Sequence, residues 1–305
     1  MNYREFRQEI LHQMRERADD DMKISLVDKQ KLNGQLWWGL LMEREGCACA
    51  PVIYLENVYE EFHRGESLER IAEKLWLIYE EEAKEVTGVL KGNVSDMESF
   101  ETASGKLFVR IFHRENNREL LEQAPFVPVL DLAMTVYYLV EKADTGVRGT
   151  IMIQKEHVRN WGVAWEEVFE RAAANSLEKE GIFWNTVEEV LERHQLLPFP
   201  EPLPGTGSGC GLCVLSGRTG VWGAVMAFLP GTCRKLYELL GEEFYLLPSS
   251  IHEVLFIPVS RVTSRELLKR TVCDVNSYEM QQDEILSDSL YFYRSDEDRL
   301  EIAEV

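Results

Sequence analysis

The sequence predicts an α+β protein in which helices cover mainly antiparallel sheets built from hairpin-plus-helix units. Three observations favour this fold class: some segments repeat apolar residues at helical spacing, others are short apolar runs beside turn residues, and the two patterns alternate along the chain. Strands joined by short turns run antiparallel, and helices then cover one face of each sheet. We predict two domains, residues 1–92 and 93–305, because 305 residues with 45% hydrophobic content can bury two modest cores.

The first domain is predicted to hold a helix, three strands and a second helix. Apolar residues at helical spacing from Tyr3 to Met14 predict an amphipathic helix. Asn33-Gly34 predicts a hairpin between the first two strands, because these residues accept the positive φ angles of a tight turn. The remaining predicted elements are strands at 24–27, 36–42 and 51–55, and a helix at 68–79.

The second, larger α+β domain is predicted to repeat the hairpin-plus-helix order. A loop is predicted at 197–211, where prolines and glycines are too dense for a helix or a central strand. Ser264 is a predicted cap for the last helix. The predicted strands are 106–113, 126–140, 149–156, 244–247 and 254–259, with hairpins of 213–215 with 221–229 and of 290–293 with 299–302; the predicted helices are 117–123, 164–177, 265–276 and one that begins near 232.

The charge balance disfavours some classes of partner. The chain has 33 Lys and Arg against 53 Asp and Glu, a formal charge of −20. Such a surface repels nucleic-acid phosphates and anionic membranes. No apolar run reaches the roughly 20 residues that span a bilayer, and the first residues lack the pattern of a secretion signal. We therefore expect a cytoplasmic protein with neither nucleic acid nor membrane as partner.

The segment 248–253 places two hydroxyls, an imidazole and a carboxylate close together between two predicted strands. Ser249 or Ser250, His252 and Glu253 are nominally a nucleophile, a base and an orienting acid. However, His252 and Glu253 diverge on an extended chain, and no G-x-S-x-G elbow surrounds the serines. The alternative interpretation is structural: the serines bond their own backbone at a turn and His252 caps a strand edge.

Asp131 is a second candidate, because it interrupts an apolar run that is predicted to be a strand. A buried carboxylate needs a partner, and Arg110, His113 and Arg114 on the preceding strand could reach it. A functional carboxylate in a cleft is the other interpretation.

Cysteine pairs raise the question of a metal site. Cys47, Cys49, Cys210 and Cys213 could give four thiolates to zinc if the two pairs met in space. The C-x-C spacing is a poor chelate, and buried apolar cysteines are common. We therefore predict buried thiols, no metal and no cofactor.

Six segments carry a resemblance to a known family. They are YREF at 3–6, PVIYLENVY at 51–59, LDLA at 130–133, NWGV at 160–163, LPSSIHEV at 247–254 and LSDSLY at 286–291. With these segments the chain resembles the domain-of-unknown-function 5688 family over nearly its whole length, and from Lys106 onward it is also similar to the domain-of-unknown-function 1444 family. The resemblance implies a bacterial cytoplasmic origin and makes residues 248–253 a family feature, but it implies no activity and no catalytic residue.

The sequence therefore favours a non-catalytic protein-interaction or regulatory protein whose partner has a basic surface. A glutamate-rich helix face is formed by Glu80, Glu81, Glu82 and Glu85; such a face is usually solvated surface, and the alternative is a docking patch for a basic partner. The alternative is a small-molecule hydrolase or transferase that uses Ser249 or Ser250 with His252, and a third possibility is an acidic mimic of DNA. The oligomeric state is left open.

Overall fold

The computed structural model describes residues 1–45, 50, 52–141, 148–187, 189–190, 197–198, 211–248, 250–278 and 280–304, with the side chains of 82–95, 141, 148 and 197–198 left out. The chain forms two compact units. Unit 1 contains Met1–Met97 and Val140–Arg148, and unit 2 contains Glu98–Leu139 and Gly149–Val305.

Helices and antiparallel strands alternate along the chain, so the predicted α+β class is confirmed. The helices are α1 (Tyr3–Arg17), α2 (Glu56–His63), α3 (Leu68–Asp96), α4 (Phe100–Ala103), α5 (Arg118–Gln123), α6 (Lys155–Trp161), α7 (Trp165–Asn175), α8 (Thr232–Leu240) and α9 (Arg265–Tyr278). The strands are β1 (Met22–Gln30), β2 (Leu36–Arg44), β3 (Val52–Tyr54), β4 (Leu107–His113), β5 (Val127–Val129), β6 (Leu132–Glu141), β7 (Arg148–Met152), β8 (Phe183–Thr186), β9 (Leu197–Pro198), β10 (Cys213–Ser216), β11 (Phe244–Leu247), β12 (Val254–Pro258), β13 (Tyr291–Arg294) and β14 (Arg299–Ile302).

Unit 1 packs helices against the antiparallel sheet β1-β2-β3. Helix α1 begins at a capping box in which Asn2 and Glu5 exchange side-chain and backbone hydrogen bonds. Its apolar stripe, including Phe6, is fully buried in the core of this unit. The predicted hairpin is confirmed, because Asn33 and Gly34 both adopt positive φ, at 57° and 71°, between β1 and β2.

A four-stranded sheet of unit 2 contains β4, β6, β5 and β7. The prediction of one strand over 126–140 is wrong, because β5 and β6 form a hairpin that turns at Leu130 and Asp131. Leu130 has a left-handed φ of 55°, a conformation that the apolar sequence does not signal. The predicted strand at 149–156 is also too long, because β7 ends at Met152 and α6 follows.

The second sheet of unit 2 has the order β14-β13-β11-β12-β10-β8-β9. The predicted strands at 244–247 and 254–259 are observed as β11 and β12, which pair with each other, and the predicted β13–β14 hairpin is confirmed. Ser264 caps α9 through the backbone amide of Leu267. The predicted hairpin of 213–215 with 221–229 is wrong, since β10 pairs with β12 and β8. Residues Gly223–Phe228 instead form a buried 3-10 helix.

Gly223 lets the backbone of this segment lie directly against the end of β10. A Cβ at Gly223 would lie 2.1 Å from Ser216 Oγ and 2.2 Å from the Gly217 backbone nitrogen. The Ala224 amide also donates to the carbonyl of Ile251, 3.3 Å away. The backbone therefore passes directly against the end of β10, at a separation that only glycine permits.

Candidate functional site

Three of the segments that carry the family resemblance lie together in unit 2. Asp131 of the LDLA segment accepts hydrogen bonds from Ser287 and Tyr291 of the LSDSLY segment. The Ser287 amide donates to the carbonyl of Pro248, in the LPSSIHEV segment, over 2.9 Å. Segments far apart in the sequence thus form one hydrogen-bonded region, which is the candidate site.

Asp131 is the centre of this region. Its Oδ2 accepts from the Ser287 hydroxyl at 2.6 Å and the Ser289 hydroxyl at 3.0 Å, while its Oδ1 accepts from the Tyr291 hydroxyl. Burial acts to raise the pKa of Asp131, but these three donors outweigh it and hold the pKa below the ordinary value. Burial, together with the Asp131 charge, raises the pKa of Tyr291 far above its usual range. The cluster is therefore an ionised carboxylate with protonated hydroxyl donors.

Of the three predicted partners of Asp131, His113 is the one whose side chain the structure places beside the carboxylate. Its Nε2 lies 3.8 Å from Asp131 Oδ2, and its Nδ1 accepts the backbone N–H of Asn116 at 3.2 Å. An Nδ1 that accepts leaves the proton of the neutral ring on Nε2, facing the carboxylate. Arg114 contributes its backbone amide, which donates to the Asp131 carbonyl over 2.9 Å.

Arg110 does not pair with Asp131, contrary to one of the predicted contacts. Residues three apart on a strand face opposite sides, so Arg110 and His113 point away from each other on β4. The guanidinium of Arg110 lies over the Trp222 ring, 4.7 Å from its centroid. Burial lowers the pKa of Arg110 to about 10.

His252 joins two loops of unit 2. Its Nδ1 accepts the backbone N–H of Trp222 at 3.2 Å, and its Nε2 lies 3.3 Å from Glu284 Oε1. Ser250 does not bond the imidazole: its Oγ accepts the backbone amide of His252 at 3.0 Å, as in a serine turn. Glu253 is exposed, and Ser249 lies outside the described residues.

This geometry provides no activated serine at Ser250, Ser287 or Ser289. A general base needs a free lone pair within reach of the nucleophile, and the lone pair on Nδ1 of both His113 and His252 accepts a backbone N–H. Ser287 and Ser289 instead donate to Asp131, whose lowered pKa makes it a weak base. The polar groups of the candidate site thus satisfy one another.

Of the four cysteines considered for a zinc site, the structure describes only Cys213. Cys213 is fully buried in β10, between β12 and β8, as predicted for a core thiol. Cys47, Cys49 and Cys210 lie outside the described residues. Within the described part of the chain, no group of three or more His, Cys, Asp or Glu side chains is arranged to hold a metal ion.

Sequence reasoning did not predict the hydroxyl groups that donate to Asp131 or the carboxylate that faces His252. A signal for the donors is present in the sequence, because the hydroxyl-bearing residues Ser287, Ser289 and Tyr291 recur at every second position. No such signal exists for Glu284, which reaches His252 from 32 residues further along the chain.

The fold and the site define an α+β protein in which a cluster of polar side chains, hydrogen-bonded to one another, joins segments that are distant in the sequence. A family model, "Family of unknown function (DUF5688)", matches residues 3–295, so the chain belongs to this family. No curated protein and no solved structure matches the chain. Among the described helices, none combines the length and the apolar character that crossing a bilayer requires.

Proposed function

We propose that this protein is a non-catalytic protein-interaction or regulatory protein of the bacterial cytoplasm, and that its partner has a basic surface. One observation carries the proposal: both ring nitrogens of His252 face groups of the protein itself, and the Ser250 hydroxyl accepts from a backbone amide. These residues are used to join loops, which is what a structural role requires.

The charge of the chain supports the choice of a basic partner. A net charge of −20 attracts cationic surfaces at long range and accelerates their encounter. Such attraction weakens as salt screens it. The proposal therefore predicts binding that is strongest at low ionic strength, and a low-salt pull-down that yields no partner counts against it.

The alternative is a hydrolase or transferase that uses Ser249 or Ser250 with His252. For Ser250, it requires a change of conformation that frees Nδ1 of His252 from the Trp222 amide and turns the serine hydroxyl toward it. The similarity of the second half to the domain-of-unknown-function 1444 family stays a prediction and favours neither function.

A covalent probe separates the two functions. The full chain is incubated with a fluorophosphonate, which labels activated serines, with trypsin as the positive control. We expect no stoichiometric label on the wild-type protein. A stoichiometric adduct on Ser249 or Ser250 that His252→Ala abolishes, in a variant that remains folded, would overturn the proposal.

A further inference from the structure

The surface between α2 and α3 in unit 1 forms a groove, here called the α2–α3 groove. Its volume is about 390 Å³. Ile71 and Ile78 lie at its apolar wall, and Leu77 is beside them. This volume is enough to receive one or two large apolar side chains.

Leu77 gives the groove an apolar surface that the protein itself leaves uncovered. Its exposed fraction is 60%, whereas Ile71 on the same helix is fully buried. A single exposed leucine is ordinary on a protein surface. Leu77 differs because it lies in a concave site, where a partner side chain can be surrounded rather than merely touched.

Glutamates flank Leu77 along α3. Glu73 and Glu81 lie one helical turn before it and one turn after it, and both line the groove. Among the described residues, neither has an ion pair within 4.0 Å, unlike Glu61, which pairs with Lys74 at 2.6 Å. Two carboxylates that have no ion pair within the described part of the chain therefore stand on either side of an exposed apolar side chain.

We propose that the α2–α3 groove binds the apolar face of a cationic amphipathic helix from a partner protein, an inference that rests on the proposed function. One large apolar side chain of the partner packs against Leu77, and Lys or Arg side chains meet Glu73 and Glu81. Eight residues of α3 span about 12 Å, so cations about two turns apart on a parallel or antiparallel helix match the two carboxylates.

The secondary structure of the groove favours a helix as the occupant. Both walls are helices, whose backbone groups are bonded internally, so an extended peptide would find no strand edge to pair with. A helix brings its own backbone hydrogen bonds and needs only a matching apolar stripe and charges.

The test uses the full chain and a fluorescein-labelled synthetic helix of about 14 residues, in which a leucine has a lysine one turn before it and another one turn after it on the same face. Binding is measured by fluorescence anisotropy at low ionic strength. We expect Leu77→Ser to weaken binding about tenfold. The double variant Glu73→Gln with Glu81→Gln should weaken it similarly and flatten its salt dependence.

Matched controls exist in unit 2. Leu267 on α9 is 58% exposed, almost as much as Leu77, so Leu267→Ser changes the same amount of apolar surface elsewhere. Glu166 and Glu170 on α7 are exposed and one turn apart, and their replacement by Gln removes the same charge. Both controls should change the affinity less than about twofold.

Three results would overturn the inference, and each leaves the proposed function separately testable. If the groove variants and the controls weaken binding equally, the peptide recognises only net charge, and the groove fails while an acidic interaction protein remains. If the wild type does not bind the peptide, or binds a leucine-glutamate helix as well, the groove fails. The fluorophosphonate and pull-down experiments then decide the proposed function independently.

Discussion

Replacing His252 by Ala tests whether the imidazole is a structural clamp. The variant removes the acceptor for the Trp222 amide and the donor that faces Glu284. It also removes the ring contact with Trp222, whose centroid lies 5.9 Å away. Trp222 has a left-handed φ of 59°, so the hydrogen bond that its backbone amide donates to His252 holds a conformation that a tryptophan does not favour.

These losses give an expected magnitude. Two hydrogen bonds contribute about 0.5–1.5 kcal/mol each, and partial exposure of both partners lets water offset some of the loss. Releasing the strained loop adds disorder around Trp222 in the folded state. We therefore expect His252→Ala to lower the free energy of unfolding by about 2 kcal/mol.

Urea denaturation followed by tryptophan fluorescence measures this change. His12→Ala is the control, because the His12 side chain is 66% exposed and its Nε2 lies 3.6 Å from Glu16 Oε1 on the same helix. The control should stay within about 0.5 kcal/mol of the wild type. His252→Asn, whose carbonyl can accept the Trp222 amide proton, should recover part of the loss. A His252→Ala variant as stable as the control would refute the clamp.

Other predictions concern the backbone crossing and the Asp131 cluster. Gly223→Ala should cost more than about 3 kcal/mol or prevent folding, because its Cβ would lie 2.1 Å from Ser216 Oγ; Gly105→Ala, which meets nothing within 4 Å, should be nearly neutral in the same urea assay. Asp131→Asn should cost about 2–4 kcal/mol at neutral pH, since an amide cannot accept all three hydroxyl protons. The lowered pKa of Asp131 stabilises the fold above the unfolded-state value of about 3.9, and this stabilisation is lost as the pH falls through the folded-state pKa. The difference in free energy of unfolding between wild type and Asp131→Asn should therefore shrink in acid. A difference that is constant with pH would contradict the stabilising role of the ionised Asp131 carboxylate. Tyr291→Phe should cost about 1–2 kcal/mol by thermal or urea unfolding, because it removes one donor to Asp131 and leaves the other two.

Local sequence signals determined much of the secondary structure. Asn33 and Gly34 predict their hairpin because positive φ is an intrinsic preference of these residues. Ser264 predicts a helix start because its hydroxyl bonds an amide three residues away. Each signal acts over a few residues, so the chain encodes it without reference to the rest of the fold.

The same local reasoning failed where distant groups decide the conformation. Leu130 turns the chain within an apolar run, and the adjacent Asp131 is held by Ser287, Ser289 and Tyr291, which are 156 to 160 residues away. The segment that follows Trp222 reads as a strand but is a 3-10 helix.

The sequence by itself determined the fold class, the acidity and the turn and cap residues, because these depend on composition and on neighbours along the chain. Only the tertiary structure decided what His252 and Asp131 do. Their roles depend on which nitrogen or oxygen already has a partner, and those partners are brought near by packing rather than by sequence.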